Sequence, residues 1–442
     1  MSETFNKIAS GWSLAALLTM TCLVVWTSVE RFQDPVREKY VYLMPPGNAD
    51  FFFPFGGARA LVAGENPYLN DLSGMTDPWN RSFRFIKGKE YRGLYPPTHF
   101  ILYVPLALLT DDWRQAGRVL FVVNIAALFL LSVLTWWLMV HLFQLDDQGR
   151  RWSMLLIPLG FAILAGNVAS GYALERGDGG DILAAVFCWT ALVLYLKGWH
   201  FLPMFMLVPA MFTKGYAIFC GLGIGLLSLK RQSWAWAVAG AVAGVAVFVL
   251  PVVQYLPDAW TWLRYHEYEQ GSFWWNHGFR NLFFHLFPAW TEPLRWITGA
   301  YCAVLAITCW VGAKRALGQA DTAAVTLWLT FFVTCSLETM LGMAPTSMVY
   351  NLVLVLPGVI FFMVAAPSLA RRCGYAEWVV HAIGALNVLS AFFLFKFVLL
   401  DKTQFPSPGI GMVSFLFSLG VVITGLWTQR RVSVSGPAGA AT

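Results

Sequence analysis

Asp50 is the residue whose type and surroundings most clearly suggest acid–base chemistry. It follows Pro45-Pro46-Gly47, which cannot continue a helix, and it precedes four phenylalanines in residues 51–55. Aromatic side chains of this kind favour the headgroup zone of a membrane or a protein cleft. A carboxylate beside them is costly unless it is used. The pattern indicates a single carboxylate at a membrane surface, available as a general base.

The segment after Asp50 also allows a purely structural explanation. Residues 57–62 predict about two turns of interfacial helix, with Gly64 as the C-cap and an Asn66-Pro67 turn behind it. In this alternative Asp50 only caps the short helix, a position where Asp is common.

Charged residues near membrane-embedded segments are functional candidates, because inserting them requires a compensating partner or a use. Arg176 and Asp178 lie in a run, residues 175–181, whose three glycines let a ligand approach the backbone. Lys214 stands at an inferred break between two helices. Plainer explanations exist for each. Arg176 can pair with Asp178 while Asp181 caps the next span, and Lys214 can extend towards the interface.

A second polar loop, residues 257–290, contains Asn276, His277 and Arg280. Histidine and arginine side chains suit the recognition of phosphate. The alternative is a solvated loop that only anchors the interface through Trp274 and Trp275.

The composition is that of a polytopic membrane protein. The chain has 442 residues, of which 58% are hydrophobic and 12% charged, and its mean hydropathy is +0.60. The seven cysteines form no CxxC pair, so we expect neither a zinc site nor a disulfide framework. The net charge of +6 comes largely from short basic clusters between apolar runs, which report membrane orientation.

A membrane span needs about 20 apolar residues, or fewer where a helix is broken. On this basis we expect roughly twelve spans, near residues 8–29, 117–142, 153–168, 181–197, 201–213, 216–229, 234–256, 291–313, 322–340, 348–366, 378–400 and 410–427. Basic pairs then fall on alternate connections, at positions 150–151, 230–231, 314–315, 371–372 and 430–431. By the positive-inside rule these connections and both termini are cytoplasmic.

Residues 96–109 are apolar but only 14 residues long. A true span there would invert every later segment and put the basic pairs outside, so we predict a re-entrant or interfacial segment. The chain is then a single polytopic membrane domain over residues 1–442. Its parts are a first span at 8–29, an outer loop at 31–116, spans in 117–256, an outer loop at 257–290, spans in 291–432 and a flexible cytoplasmic tail at 433–442.

The candidate residues share one membrane face, where one carboxylate and several cations border apolar surface. That combination suits a lipid phosphate, and Tyr68 and Tyr95 in the first loop are expected to contact the substrate. The sequence has no GxSxG, HExxH, Walker or GxGxxG context, so serine hydrolysis, zinc proteolysis and nucleotide-driven chemistry have no support. A soluble nucleotide-sugar donor does not suit a site facing away from the cytoplasm, so the donor is expected to be membrane-borne.

The first loop resembles glycosyltransferase family 87, the polyprenol-phosphate-mannose-dependent mannosyltransferases. The matching pattern runs from Asp50 through Asn66-Pro67-Tyr68 to Tyr95-Pro96-Pro97 and Pro105-Leu106, with weaker echoes around residues 176–181, 214 and 276. The resemblance implies the GT-C architecture, in which outer loops on a many-helix bundle hold the active site. It also implies that Asp50 is the general base.

Three positions depart from the family pattern. Lys214 precedes Gly215 instead of proline, His277-Gly278 replaces Gln-Ser, and residues 344–351 lack the histidine of a Ser-Pro…His motif. If that histidine binds the donor phosphate in relatives, Tyr350 or Asn351 can donate a hydrogen bond here instead, or His277 and Arg280 can take its place.

The sequence thus predicts an all-α, GT-C-type glycosyltransferase in a bacterial plasma membrane, with its active site on the outer face. It would move a hexose, with mannose expected, from a polyprenyl monophosphate to a hydroxyl of a lipid or glycan acceptor. Asp50 would be the base, Lys214, Arg176, His277 and Arg280 would bind the donor phosphate, and Tyr68, Tyr95, Asp178, Asn276 and Tyr350 would contact substrate. We expect neither metal nor cofactor. The alternatives are a transporter or flippase of lipid-linked saccharides, and an outer-face ligase or polymerase of lipid-linked oligosaccharides.

Overall fold

The structure is a computed structural model that describes residues 2–33, 49–68, 95–145, 147–167, 170, 173–174, 179–229, 233–258, 278–344, 349–395 and 407–428. These residues form helices and turns, and no strand occurs among them. The predicted all-α class is therefore confirmed.

Apolar runs fold as helices because each backbone N–H and C=O inside a bilayer must be bonded within its own segment. In chain order the helices are α1 (Ser2–Gln33), α2 (Ala49–Val62), α3 (Pro97–Ile101), α4 (Val104–Leu109), α5 (Trp113–Phe143), α6 (Asp147–Ser153), α7 (Leu156–Gly166), α8 (Gly179–Leu196), α9 (Phe201–Lys214), α10 (Ile218–Ser228), α11 (Trp234–Phe248), α12 (Phe279–Leu286), α13 (Thr291–Gly318), α14 (Thr322–Met343), α15 (Leu356–Arg372), α16 (Glu377–Phe395) and α17 (Ser407–Thr428). Short 3-10 helices occupy Leu250–Tyr255, Pro288–Trp290 and Val349–Leu354.

Each of the predicted membrane segments contains helix. Among the described residues, five helices are long and apolar enough to cross a membrane, or six if the bent pair that begins with α11 is one span. That pair bends by 48° where α11 gives way to a segment starting at Leu250-Pro251. The predicted number of about twelve spans stays a prediction.

Helix α14 lies at the centre of the bundle. In its apolar window 94% of the residues are buried, and Leu329, Val333 and Leu337 are fully inaccessible. Helix α13 packs along it, and α5, α8, α10 and α15 also contact it. Its start is fixed by an N-cap, because Asp321 Oδ1 accepts a hydrogen bond from the Ala324 N–H at 2.9 Å.

The predicted break at Thr213-Lys214-Gly215 is confirmed. Helix α9 ends at Lys214, Gly215 has φ +78°, and α10 begins at Ile218. A positive φ favours glycine because it has no Cβ, so the chain can change direction here without strain.

Residues 96–109 fold as the two short helices α3 and α4, separated at Leu102-Tyr103. Neither is long enough to cross a bilayer, and the re-entrant or interfacial placement of this segment stays a prediction.

The prediction for the Asp50 segment was wrong in its bounds. Helix α2 begins at Ala49, eight residues before the expected start, so Asp50 lies in its first turn and does not cap a helix over 57–62. Tertiary burial explains the difference: Phe51 and Phe55 stack, with ring centroids 5.3 Å apart, and both are buried. Burying two phenylalanines contributes about 3–6 kcal/mol, which offsets the roughly 3 kcal/mol cost of Pro54 inside the helix.

Candidate functional site

The chain leaves α2 through a tight reversal that positions Tyr68. Gly64 has φ +74°, as expected for the predicted C-cap. The predicted Asn66 turn also forms, since Asn66 Oδ1 accepts a hydrogen bond from the Tyr68 N–H at 3.0 Å. Asn66 Nδ2 donates to Asp258 Oδ2 at 2.8 Å, which ties this turn to the residues that follow α11.

Tyr68 holds the start of the Tyr95-Pro96-Pro97 motif. Its Oη donates a hydrogen bond of 2.6 Å to the Tyr95 carbonyl, and both tyrosines are buried. Burial, and secondly the Asp258 carboxylate, raise the pKa of Tyr68 well above its usual value, so the hydroxyl stays protonated at neutral pH. The Tyr68 hydroxyl therefore binds the backbone of the motif. The predicted contact of either tyrosine with substrate stays a prediction.

The Tyr-Pro-Pro motif starts α3 and aims a histidine into the protein. Pro97 is the first residue of α3, where a missing N–H costs nothing and the fixed φ already suits a helix. Two residues later His99 is fully buried and stacks on the Tyr95 ring, with centroids 4.3 Å apart and planes 10° from parallel.

His99 packs against the beginning of α8, at Gly180. A Cβ at Gly180 would overlap the imidazole ring, so this close approach requires glycine. The contact joins the Tyr-Pro-Pro segment to the helix that follows residues 175–178 in the sequence.

Thr98, the neighbour of His99, contacts the end of α9. Its Oγ1 donates a short hydrogen bond to the Phe212 carbonyl, two residues before Lys214. Helix α3 therefore lies against the helix break where Lys214 was singled out.

A further buried contact connects α8 with the segment after α14. Asp181 is fully inaccessible, and its Oδ1 accepts a hydrogen bond of 3.1 Å from Asn351 Nδ2. Asn351 Nδ2 also lies 3.5 Å from the Tyr216 hydroxyl, just beyond the α9 break. Helix α8 begins at Gly179, so Asp181 lies in its first turn and is not the N-cap that the sequence predicted.

We call Tyr95, Thr98, His99, Asp181, Tyr216 and Asn351 the junction cluster. It joins four segments that are far apart in sequence: the Tyr-Pro-Pro segment, the start of α8, the α9 break and the 3-10 helix Val349–Leu354. Each segment either contains or directly follows a group that the sequence singled out for chemistry.

Helix α2, which carries Asp50, packs on the short helices beside this cluster. The Phe51 and Tyr103 ring centroids are 6.3 Å apart, and a Cβ at Gly57 would overlap the Phe100 ring. The helix with the predicted base therefore shares a packing surface with the Tyr-Pro-Pro segment.

Arg280 lies in a different setting. Its Nε pairs with Glu292 Oε1 at 2.9 Å, and the two side chains are 50% and 48% exposed. Glu292 also pairs with Arg295 at 3.3 Å, and Arg295 Nη2 donates to the Met343 carbonyl at 2.8 Å. We call Arg280, Glu292 and Arg295 the arginine group; its carboxylate already neutralises part of its positive charge.

Some predicted site residues lie outside the described part of the chain or are described by backbone alone. Arg176, Asp178, Asn276 and His277 are outside the described residues. Asp50, Lys214 and Tyr350 are placed by their backbones, in α2, at the end of α9 and next to Asn351. Within the described residues, no three His, Cys, Asp or Glu side chains come together as a metal site would require.

The sequence did not identify His99, Thr98 or Tyr216 as site residues. The available signal was weak: a histidine and a threonine directly after two prolines in an apolar run, and a tyrosine next to a helix break.

Comparisons with known proteins add one strong result. The sequence model of glycosyltransferase family 87 matches residues 94–340, more than half of the chain. Among solved structures, ArnT from Cupriavidus metallidurans in the apo state matches with 13% identity and a TM-score of 0.37, covering 95% of this chain and 77% of that one. ArnT bound to undecaprenyl phosphate matches with 12% identity and a TM-score of 0.33, covering 94% and 77%. A search of curated proteins gives no match.

Proposed function

Because the chain belongs to glycosyltransferase family 87, we propose that it transfers a hexose, with mannose expected, from a polyprenyl monophosphate to an acceptor hydroxyl. Family membership and the long apolar helices make it a multi-pass membrane glycosyltransferase. The sugar, the lipid donor and the lipid or glycan acceptor are the proposed part.

The observation that carries this proposal is the convergence of separate segments on the junction cluster. The Tyr-Pro-Pro segment, the start of α8, the α9 break and Asn351 meet there through buried and partly buried contacts. Helix α2, with Asp50, packs on the same short helices. A single reaction centre would need its base and its phosphate-binding groups gathered in this way.

In the proposed reaction the acceptor oxygen attacks the anomeric carbon while the Asp50 carboxylate takes the hydroxyl proton. The bond between the anomeric carbon and the phosphate oxygen breaks, and its electron pair leaves with polyprenyl phosphate. One carboxylate is sufficient because phosphate departs without a protonating acid, and a single displacement inverts the anomeric centre.

The departing phosphate gains negative charge, which nearby cations would stabilise. Lys214, Arg176, His277 and Arg280 are the proposed cations. Lys214 has the strongest support since its helix end contacts the junction cluster, whereas Arg280 has weaker support because Glu292 already pairs with it. Tyr350, next to Asn351, is proposed to donate a hydrogen bond to the phosphate. Asp178 and Asn276 are proposed to contact the substrate.

The proposed location is a bacterial plasma membrane, with both termini in the cytoplasm and the active site on the outer face. The basic pairs at 230–231, 314–315 and 371–372 support this orientation. A single cysteine at position 176 should react with an impermeant reagent on intact cells, and one at position 315 only after permeabilisation. The opposite pattern would contradict the orientation.

The base role is tested by replacing Asp50 with asparagine. An amide can orient the acceptor but has negligible basicity, so Asp50→Asn should bind polyprenyl phosphate normally and transfer sugar at least about 100-fold more slowly. Asp50→Glu should also lose about 10²-fold, because the added methylene displaces the carboxylate by about 1 Å. Rates are measured with purified protein and labelled donor.

Asp111→Asn is the matched control. Asp111 pairs with Arg59 of the same helix α2 at 3.1 Å and is 86% exposed, and such pairs contribute little, so transfer should stay within about twofold of wild type. Wild-type transfer by Asp50→Asn, or equal losses in both variants, would remove Asp50 as the base.

A further inference from the structure

The proposed reaction gives no role to the contact between Asp181 and Asn351. The two residues are 170 positions apart, both are buried, and their side chains are 3.1 Å apart. Asn351 Nδ2 also lies 3.5 Å from the Tyr216 hydroxyl, so one amide group contacts side chains from two other segments.

Each of the three residues lies within three positions of a proposed substrate contact in the sequence. Asp181 comes three residues after Asp178, Asn351 directly follows Tyr350, and Tyr216 is two residues beyond Lys214. A shift of any one segment against the others would therefore move a proposed phosphate contact.

Burying a carboxylate is costly, and an apolar residue of similar size would pack more cheaply. Buried polar pairs can instead fix one arrangement of the elements they join, since a displaced partner leaves a carboxylate without its hydrogen bond. The position of Asp181 suits that use, because its contact with Asn351, and that of Asn351 with Tyr216, connect the start of α8, the 3-10 helix Val349–Leu354 and the α9 break.

We infer that Asp181 and Asn351 are positioning residues, whose mutual hydrogen bond sets the arrangement of the donor-phosphate contacts and thereby the affinity for the polyprenyl phosphate donor. The inference rests on the proposed function. Neither residue needs to touch the donor; both act through the segments that they hold together.

The test exploits the opposite hydrogen-bonding character of the two side chains. Asn351→Asp places a second carboxylate against Asp181 and should weaken binding of undecaprenyl phosphate at least about tenfold. Adding Asp181→Asn restores one carboxylate and one amide in reversed order, so the double variant should bind within about threefold of wild type. Binding to purified full-length protein is measured directly, and donor KM and kcat are measured separately in the transfer reaction, where the loss should appear mainly in KM.

Two further variants keep the test decisive if Asn351→Asp does not fold. Tyr216→Phe removes the hydroxyl of the weak 3.5 Å contact and should raise the dissociation constant about two- to threefold. Asp321→Asn is the control for the chemical change, because Asp321 only caps α14 and Asn caps equally well, so binding should not change.

Recovery of donor affinity in the double variant supports the positioning role of the pair. The same holds if Asn351→Asp alone does not fold and the double variant recovers both folded protein and donor affinity. Additive losses without recovery would overturn it, as would lowered thermal stability with unchanged donor affinity, which marks a purely structural role. If wild-type protein binds no polyprenyl phosphate, the proposed function fails along with the inference; if wild type binds and all the pair variants bind equally, only the inference fails.

Discussion

The junction cluster lies beside Lys214 and the arginine group contains Arg280, two cations that the sequence proposed for the donor phosphate, yet the structure gives the two regions opposite characters. The junction cluster is buried except for the partly exposed Tyr216, and it joins segments more than 100 residues apart, such as Asp181 with Asn351 and Thr98 with Phe212. The arginine group is about half exposed at Arg280 and Glu292, and its partners lie within one stretch of chain apart from the Met343 carbonyl.

This difference shows which property distinguishes a site from a solvated surface. Both regions contain charged or polar residues next to aromatic ones, so residue type alone cannot separate them. Burial combined with contacts between distant segments does, because each such contact must compensate for the cost of removing polar groups from water. An exposed ion pair needs no such compensation and contributes little.

The largest expected difference between the two regions concerns their cations. Lys214→Met should weaken binding of polyprenyl phosphate about 10- to 100-fold, since one charge-assisted hydrogen bond is worth about 1.5–3 kcal/mol. Arg280→Met should change it less than about threefold, because Glu292 already pairs with Arg280. Equilibrium binding to the two purified variants makes the comparison, and equal losses would show that both regions contact the phosphate.

A smaller effect is expected from a single added methyl group in the junction cluster. Gly180→Ala would push a Cβ into the His99 ring, and because such overpacking costs about 1–3 kcal/mol, the Tyr-Pro-Pro segment and α8 must separate. We expect transfer to fall about tenfold while folded protein is still recovered.

Gly318→Ala is the matched substitution away from the cluster. Nothing lies within 4 Å of a Cβ at Gly318, and alanine is favoured over glycine in a helix by up to about 1 kcal/mol. Transfer by this variant should match wild type. A normal rate in Gly180→Ala would show that the contact between His99 and Gly180 does not matter for the reaction.

The sequence predicted those parts of the fold that depend on local signals. Apolar runs predicted the helices, and Gly64 and Gly215 are among the residues with positive φ, as expected for a C-cap and a break. Residues 96–109 fold as two short helices, and their re-entrant or interfacial placement, which the charge pattern favoured, stays a prediction.

Features that depend on tertiary contacts were not predictable in the same way. Helix α2 extends back to Ala49 because Phe51 and Phe55 find a buried surface, and their spacing alone does not reveal that surface. The packing of His99 on Gly180 and the bond between Asp181 and Asn351 join distant positions with no periodic signal between them.

One reconstitution experiment measures directly whether the protein makes a new glycoside from a lipid-linked hexose. Purified wild-type protein in liposomes is given a polyprenyl phosphate hexose that is labelled in its sugar, together with lipids extracted from cells that lack the protein. Mass spectrometry follows the products, and accessibility to an impermeant reagent shows which leaflet holds the labelled donor.

We predict that the label appears in a new glycoside and that one polyprenyl phosphate is released for each hexose transferred. The contradicting result is a labelled donor that crosses the bilayer intact while no new glycoside forms. That outcome would make the protein a transporter of lipid-linked sugar and would leave Asp50 without a role as base.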